Sequence, residues 1–342
     1  MTIDFSDERT ARIALAHATS PGDRLTRRLI EDFGSAETVL FARTGTQPPG
    51  ITSLGFDSWR IHTEQHLSSR EIEGVLAETE ALGLTVLTPD DPIWTASHLP
   101  DLHSNAPLAL WARGDTKLLD TPLERRVTIT GARAASLLGT EITSMVATDL
   151  SRSGHVIVSG AAYGIDAAAH RAALFTGGQT IAVMAGGLKH TYPIGHLDLA
   201  EQIAQHGLML SEASPSRVPT KHRYEQRGRL LVALSAATFI PQAGARSGAL
   251  LLADHTESLH RGLGTVAAPE GLPSFDGCRI LLEERGAALV NTAAGVRDLI
   301  AGVPSPPARE SSGRSRARSN PLPRLDRLGR TPPDDPAPGL TR

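Results

Sequence analysis

The chain has 342 residues, 40% of them hydrophobic and only 4% aromatic, so Ala, Leu, Val and Ile must supply any core; the length accommodates one large domain plus smaller ones. A formal net charge of -3 gives no global signal for nucleic acid, so any such contact rests on a local patch. Cys278 is the single cysteine, which excludes an intrachain disulfide and a multi-cysteine metal site. No run approaches the roughly 18 apolar residues of a membrane span, and MTIDFSDERTAR lacks the basic start and apolar core of a signal peptide. A cytoplasmic location with no membrane partner is expected.

In chain order, residues 8–42 read as helical. ERTARIALAHA carries one apolar stripe, and DRLTRRLIEDFGSAETVLFA makes two short helices broken at Gly34-Ser35. Gly and Pro mark a loop over 44–52, and a further helix is expected over 63–82. Residues 1–82 are therefore expected to form a helical module, serving as a spacer, a protein-docking unit or a helix-hairpin-helix-like or SAM-like DNA contact. The short strand LTVLT and the turn PDDP fall within 83–107, expected to be a linker.

The main domain is expected over 108–303. LALWARG, VTIT, VIVSG, TIAVMAGG, LMLSEA and ATFIPQA are short apolar strands, and helical stretches alternate with them. That alternation is the signature of an α/β fold, a mostly parallel Rossmann-like sheet covered by helices on both faces. Small residues recur at the strand ends in TGAR, VSGAAYG, MAGG, LSEA and ARSG. Ligands of open parallel sheets sit beyond those carboxyl ends, so these loops converge on one edge. From 304 onward, nine prolines and eight arginines against four acidic residues predict a disordered tail.

Each loop alone is a weak signal. None carries the full dinucleotide fingerprint or the Gly-Lys-Ser/Thr ending of a phosphate loop. In VIVSGAAYGIDAAAH, Gly160 and Gly164 allow close backbone approach to a phosphate at the start of a helix, and Asp166 and His170 share a helix face. Ser159 with Asp166 and His170 looks like hydrolytic equipment, but a four-residue Asp-to-His spacing does not establish nucleophile–base geometry. The cations Arg133, Lys189, Lys221, Arg223, Arg227, Arg229 and Arg246 supply the separated charges a phosphodiester line needs, or simply a solvated helical face. Tyr163, Tyr192 and Tyr224 are either stacking surfaces for bases or half-buried packing residues.

In this order the loops resemble those of the DNA-processing protein A (DprA/Smf) family over most of residues 8–300. The resemblance runs through Gly131-Ala132-Arg133 with Ser136, Ser159-Gly160 to Asp166 with Ala169-His170, Gly186-Gly187 with Tyr192-Pro193, Ser211-Glu212, and Ser247-Gly248-Ala249-Leu250. It implies a Rossmann-like domain that binds single-stranded DNA, usually as a homodimer, and delivers it to the RecA recombinase during natural transformation. The implied DNA-binding residues are Gly131, Arg133, Ser136, Ser159, Gly160, Gly164, Gly187, Lys189, Arg227, Arg229, Arg246, Ser247 and Gly248. Within that set the arginines hold phosphates, the glycines admit the backbone, and Ser159 and Ser247 donate hydroxyls. Asp166 and His170 orient the loop and helix, with no catalytic residue, cofactor or metal. The chain departs from the family pattern over 218–229, where only Arg227 and Arg229 fit its paired arginines, and at Pro241-Gln242, where an acidic residue is usual. Two other readings stay open, a nucleotide-binding or nucleotide-hydrolysing Rossmann-like protein and a divergent scaffold for assembly.

Overall fold

The computed structural model describes residues 3–302; the expected tail over 304–342 lies outside the described residues. Five helices open the chain: α1 (Glu8–Ala18), α2 (Arg24–Phe33), α3 (Ser35–Thr44), α4 (Ser53–Glu64) and α5 (Ser69–Ala81). Asp7, Asp23 and Ser68 accept hydrogen bonds from the free N–H groups of the first turns of α1, α2 and α5, the role that short oxygen-bearing side chains play at helix starts. Gly34 gives α3 no such cap. Glu8 of α1 reaches across instead and accepts from the amides of Ser35 (2.7 Å) and Ala36 (3.0 Å). Leu15, Leu29, Phe41, Phe56 and Leu67 close a core within this module. The helix expected over 63–82 is α5, which starts only at Ser69 because Ser68 caps it, while residues 63–64 end α4, which escaped the pattern because Gly55 and Asp57-Ser58 dilute its Phe56/Trp59 face.

The sheet consists of β1 (Thr85–Leu87), β2 (Leu110–Gly114), β3 (Arg126–Ile129), β4 (Val156–Ser159), β5 (Thr180–Met184), β6 (Leu208–Ser211), β7 (Ala237–Ile240), β8 (Gly262–Thr265) and β9 (Ala288–Leu289). Their order is β1-β2-β6-β5-β4-β3-β7-β8-β9. β1 and β2 pair antiparallel with each other and β2 pairs antiparallel with β6, while the pairs from β6 through β9 are parallel. The stretch 83–107 is therefore more than a linker: it supplies the edge strand β1 and the short helix α6 (Pro92–Ala96). Arg9 of α1 fixes this edge, donating to the carbonyl of Val86 (2.7 Å) and pairing with Asp91 (2.9 Å). The helical module and the sheet accordingly belong to one compact unit.

The connecting helices are α7 (Leu137–Arg152), α8 (Ile165–Phe175), α9 (Leu197–His206), α10 (Lys221–Ala233), α11 (Leu252–Ser258), α12 (Asp276–Glu284) and α13 (Ala293–Ala301). Successive side chains of a strand point to opposite faces. Ile157 thus packs with Val146, Leu150 and Ala169 of α7 and α8, and Ala182 with Ile203 of α9. Val156, Val158, Ile181 and Val183 meet Leu230 and Leu231 of α10 on the other face. The strands are buried on both faces, which is why they read as continuous apolar runs. No described helix is long and apolar enough to cross a membrane.

One topological feature positions the site. The chain leaves β3 for β4 on one flank and, after β6, returns to β7 on the other. The loops after β3 and β7 diverge there and leave a crevice, the usual ligand position of such sheets. Phe239 of β7, opposite Ile129 of β3, is fully buried in the core. Phe239→Ala is expected to cost about 3–5 kcal/mol, read as a lower urea midpoint with an unchanged denaturant slope.

Candidate nucleic-acid interface

A cleft of about 1240 Å³ opens at this switch point. Its walls are residues 130–134 after β3, the N-terminal half of α10, and residues 244–249 after β7. At its base lies Asp166, buried in the first turn of α8. Its carboxylate accepts from the Thr130 hydroxyl (2.7 Å) and the Ala162 amide (3.2 Å), and lies 3.7 Å from the Arg227 guanidinium. Arg227 also donates to the Gly160 carbonyl (2.6 Å). Burial pulls the Arg227 pKa down and the Asp166 charge opposes that pull. The two ions therefore hold each other in the wall.

Tyr224, one turn earlier on α10, faces both arginines. Its ring centroid lies 4.3 Å from the Arg133 guanidinium carbon and 5.2 Å from that of Arg227, within cation–π range. Tyr192 touches Tyr224 edge-on at 6.5 Å and also lines the cleft. An exposed arginine is thus held over an aromatic ring, next to a second ring, with Lys221 and Arg246 on the same walls. This arrangement offers anions separated cations and offers bases flat surfaces.

The Arg133 loop has its own anchor in Gln242. This buried side chain accepts from the Ser136 amide (2.9 Å) and hydroxyl (3.3 Å), while its carbonyl accepts from the Ala132 amide (2.8 Å). The polar residue that stands where an acidic one is usual therefore ties the β7 loop to the β3 loop.

Of the expected site residues, Gly131, Arg133, Asp166, Arg227, Arg246, Ser247 and Gly248 line the cleft. The others have structural employment. Arg229 is buried and spends its donors on Glu212 (2.6 Å), the Asn105 carbonyl (2.7 Å) and the Gln226 carbonyl (2.7 Å), so it is not placed to hold a phosphate. Lys189 lies off the cleft and pairs with Glu78 of α5 at 2.5 Å. Ser159 is buried and donates to the Ile129 carbonyl (2.6 Å), and Ser136 caps α7. The glycines admit protein rather than ligand. A Cβ on Gly160 would lie 2.3 Å from the Arg227 guanidinium, and one on Gly164, where φ is +76°, 2.2 Å from the Ala132 carbonyl oxygen. Gly187 meets the Ser214 and Pro215 carbonyls in the same way, and Gly131, although on the cleft, meets the Gln242 carbonyl.

His170 sits in the core of α8, fully buried. Its Nδ1 is 2.7 Å from the Thr180 hydroxyl, which itself donates to the Ile157 carbonyl. Thr180 has one proton to give, so Nδ1 carries the imidazole proton and Nε2, unpartnered, is the lone-pair nitrogen. Burial lowers its pKa to about 4. Ser159 and His170 do not bond to each other, so they form no nucleophile–base pair of the kind their spacing brings to mind.

Residues 85–301 match the family of DNA recombination-mediator protein A. The chain belongs to that family. It is 38% identical over 251 residues to a DNA processing protein DprA of Mycobacterium tuberculosis, covering 69% of this chain and 64% of that protein. It is also 36% identical over 207 residues to the DNA processing protein DprA of Streptococcus pneumoniae, covering 59% and 69%. The chain thus spans a little under two thirds of the mycobacterial relative's length. Among solved structures, DNA processing protein A from Streptococcus pneumoniae superposes with a TM-score of 0.67 at 25% identity, over 89% of this chain and 99% of that one. The structure describing the single-stranded DNA binding mode of DNA processing protein A from Helicobacter pylori gives 0.55 at 32% identity, over 63% and 94%.

Two outcomes follow for this DprA-family cleft. Arg227→Ala strands a buried carboxylate and is expected to cost about 3–5 kcal/mol of stability, whereas Arg133→Ala, at an exposed position, shifts it by no more than about 0.5 kcal/mol; urea denaturation distinguishes them. His170 is neutral when folded down to about pH 4 but protonates near its ordinary 6.5 when unfolded. Its contribution is therefore complete above 6.5 and lost as pH falls toward 4. His170→Gln is expected to flatten the stability–pH curve in that window, measured by thermal denaturation at fixed ionic strength.

Proposed function

We propose that this chain is a non-enzymatic carrier of single-stranded DNA that protects incoming strands and loads the RecA recombinase during natural transformation or related recombination. The carrying observation is the Arg133–Tyr224–Arg227 arrangement in the switch-point cleft, flanked by Tyr192, Lys221 and Arg246. Family membership supports the recombination context, and the Helicobacter pylori relative's single-stranded DNA binding mode supports the ligand. In this reading Arg133, Lys221 and Arg246 meet phosphates as they pass, and a splayed base lies against the Tyr224–Tyr192 rings. Arg227 contributes by fixing the wall and the ring. A homodimer in the cytoplasm, with RecA as the receiving partner, completes the proposal.

Affinity of this kind is tolerant of sequence and sensitive to salt, because bound phosphates release counterions. Each of Arg133→Ala and Arg246→Ala is expected to weaken binding of fluorescent oligothymidylate and to lower the log–log salt slope by about 0.7. Tyr224→Ala is expected to lose about 1–3 kcal/mol of binding, with Tyr224→Phe close to wild type. Strong competition by mononucleotides, together with no single-strand binding at physiological salt, would replace this reading with the nucleotide-binding one. RecA loading is read separately, as faster filament assembly on single-stranded DNA in the presence of the protein.

A further inference from the structure

Away from the cleft, three side chains converge where the helical module meets the loop after β6. His17 lies in the last turn of α1, Glu71 in the first turn of α5, and His66 precedes that helix. His17 Nε2 is 2.9 Å and His66 Nδ1 3.0 Å from the same oxygen, Glu71 Oε1. The three ligand atoms lie within 4.8 Å of one another. His17 is buried, whereas His66 and Glu71 are each about one-third exposed at the side chain.

We propose that His17, His66 and Glu71 form a binding site for a divalent ion of borderline softness, Zn²⁺ in the first instance, that clamps α1 to the start of α5. Two imidazoles and a carboxylate are a suitable set for such an ion, with water completing the coordination. A second observation points the same way. The remaining nitrogen of His17, Nδ1, is 2.7 Å from the Ser214 hydroxyl, and metal-bound histidines characteristically have their other nitrogen held by such a partner. Proton accounting adds a third. Arg217 Nη2 lies 3.3 Å from His17 Nε2 and can only donate to a lone pair there, while the contact with Glu71 asks the same nitrogen to donate. One nitrogen cannot do both. An ion bound to that lone pair removes the conflict, and Arg217 keeps its hydrogen bond to the His17 carbonyl at 3.2 Å. The Arg217 charge works against the ion and the Glu71 charge works for it.

The experiment is calorimetric titration of the chelator-treated full chain with Zn²⁺ at pH 7, with Co²⁺ absorption as an independent report on coordination. One ion per chain is expected. The exposed ligands are the ones to remove: His66→Ala and Glu71→Gln should each weaken binding by at least tenfold, and Ser214→Ala by roughly tenfold. Arg217→Gln should tighten it, an outcome that merely losing a hydrogen-bonded contact would not produce. Absence of saturable one-to-one binding, or equal affinity in the wild type and the His66→Ala and Glu71→Gln variants, overturns the proposal.

Discussion

The pairing of Asp166 with Arg227 is the constraint on which the cleft depends. A carboxylate this buried is tolerable only with a counter-charge and hydrogen bonds to its oxygens, and the fold supplies both from different elements: Thr130 after β3, Ala162 after β4 and Arg227 from α10. Three connections are thereby drawn to one point beneath the switch point. The glycines belong to the same arrangement, since Gly160 gives the Arg227 guanidinium the space a side chain would fill, and Gly164 lets the start of α8 approach the Arg133 loop. What looks like a set of phosphate-friendly glycines is the packing that brings Tyr224 and Arg133 together.

Arginine does two kinds of work in this protein. Arg133 and Arg246 stand exposed on the cleft, with charge available to a ligand. Arg126, Arg229 and Arg261 are nearly or wholly buried and act as internal struts, donating through their terminal nitrogens to backbone carbonyls and to Glu212 or Asp101. The guanidinium suits this, because its several donors can engage two or three chain segments at once. Arg229 ties α10 to the strand-end loop after β6 and to the segment before β2, so the cleft wall is braced from behind. Arg217 and Lys189 extend the bracing into the helical module through His17 and Glu78. The cleft lining itself is mixed in charge, with Arg133, Lys221, Arg227 and Arg246 beside Asp166, Glu225 and Asp276.

The sequence by itself determined the α/β class, the covered parallel sheet and the edge at which ligands sit. Those depend on period, on strand–helix alternation and on small residues at strand ends, all local properties of VIVSG, TIAVM or ATFI. It also determined the helix break at Gly34, because the positive φ of +87° that ends α2 there is a local property of glycine. It did not reveal α4, whose face of Phe56 and Trp59 is diluted by polar neighbours, nor the incorporation of β1 into the sheet. Three residues, TVL, have no pattern of their own until β2 lies beside them. Only the tertiary structure decided which cations are free. Lys189 and Arg229 look no different from Arg133 and Arg246 in the sequence, but Glu78 lies 111 positions from Lys189 and Glu212 lies 17 from Arg229. Whether a charge is spent on a neighbour or left for a ligand is a fact about long-range proximity, which the order of residues along a chain does not encode locally.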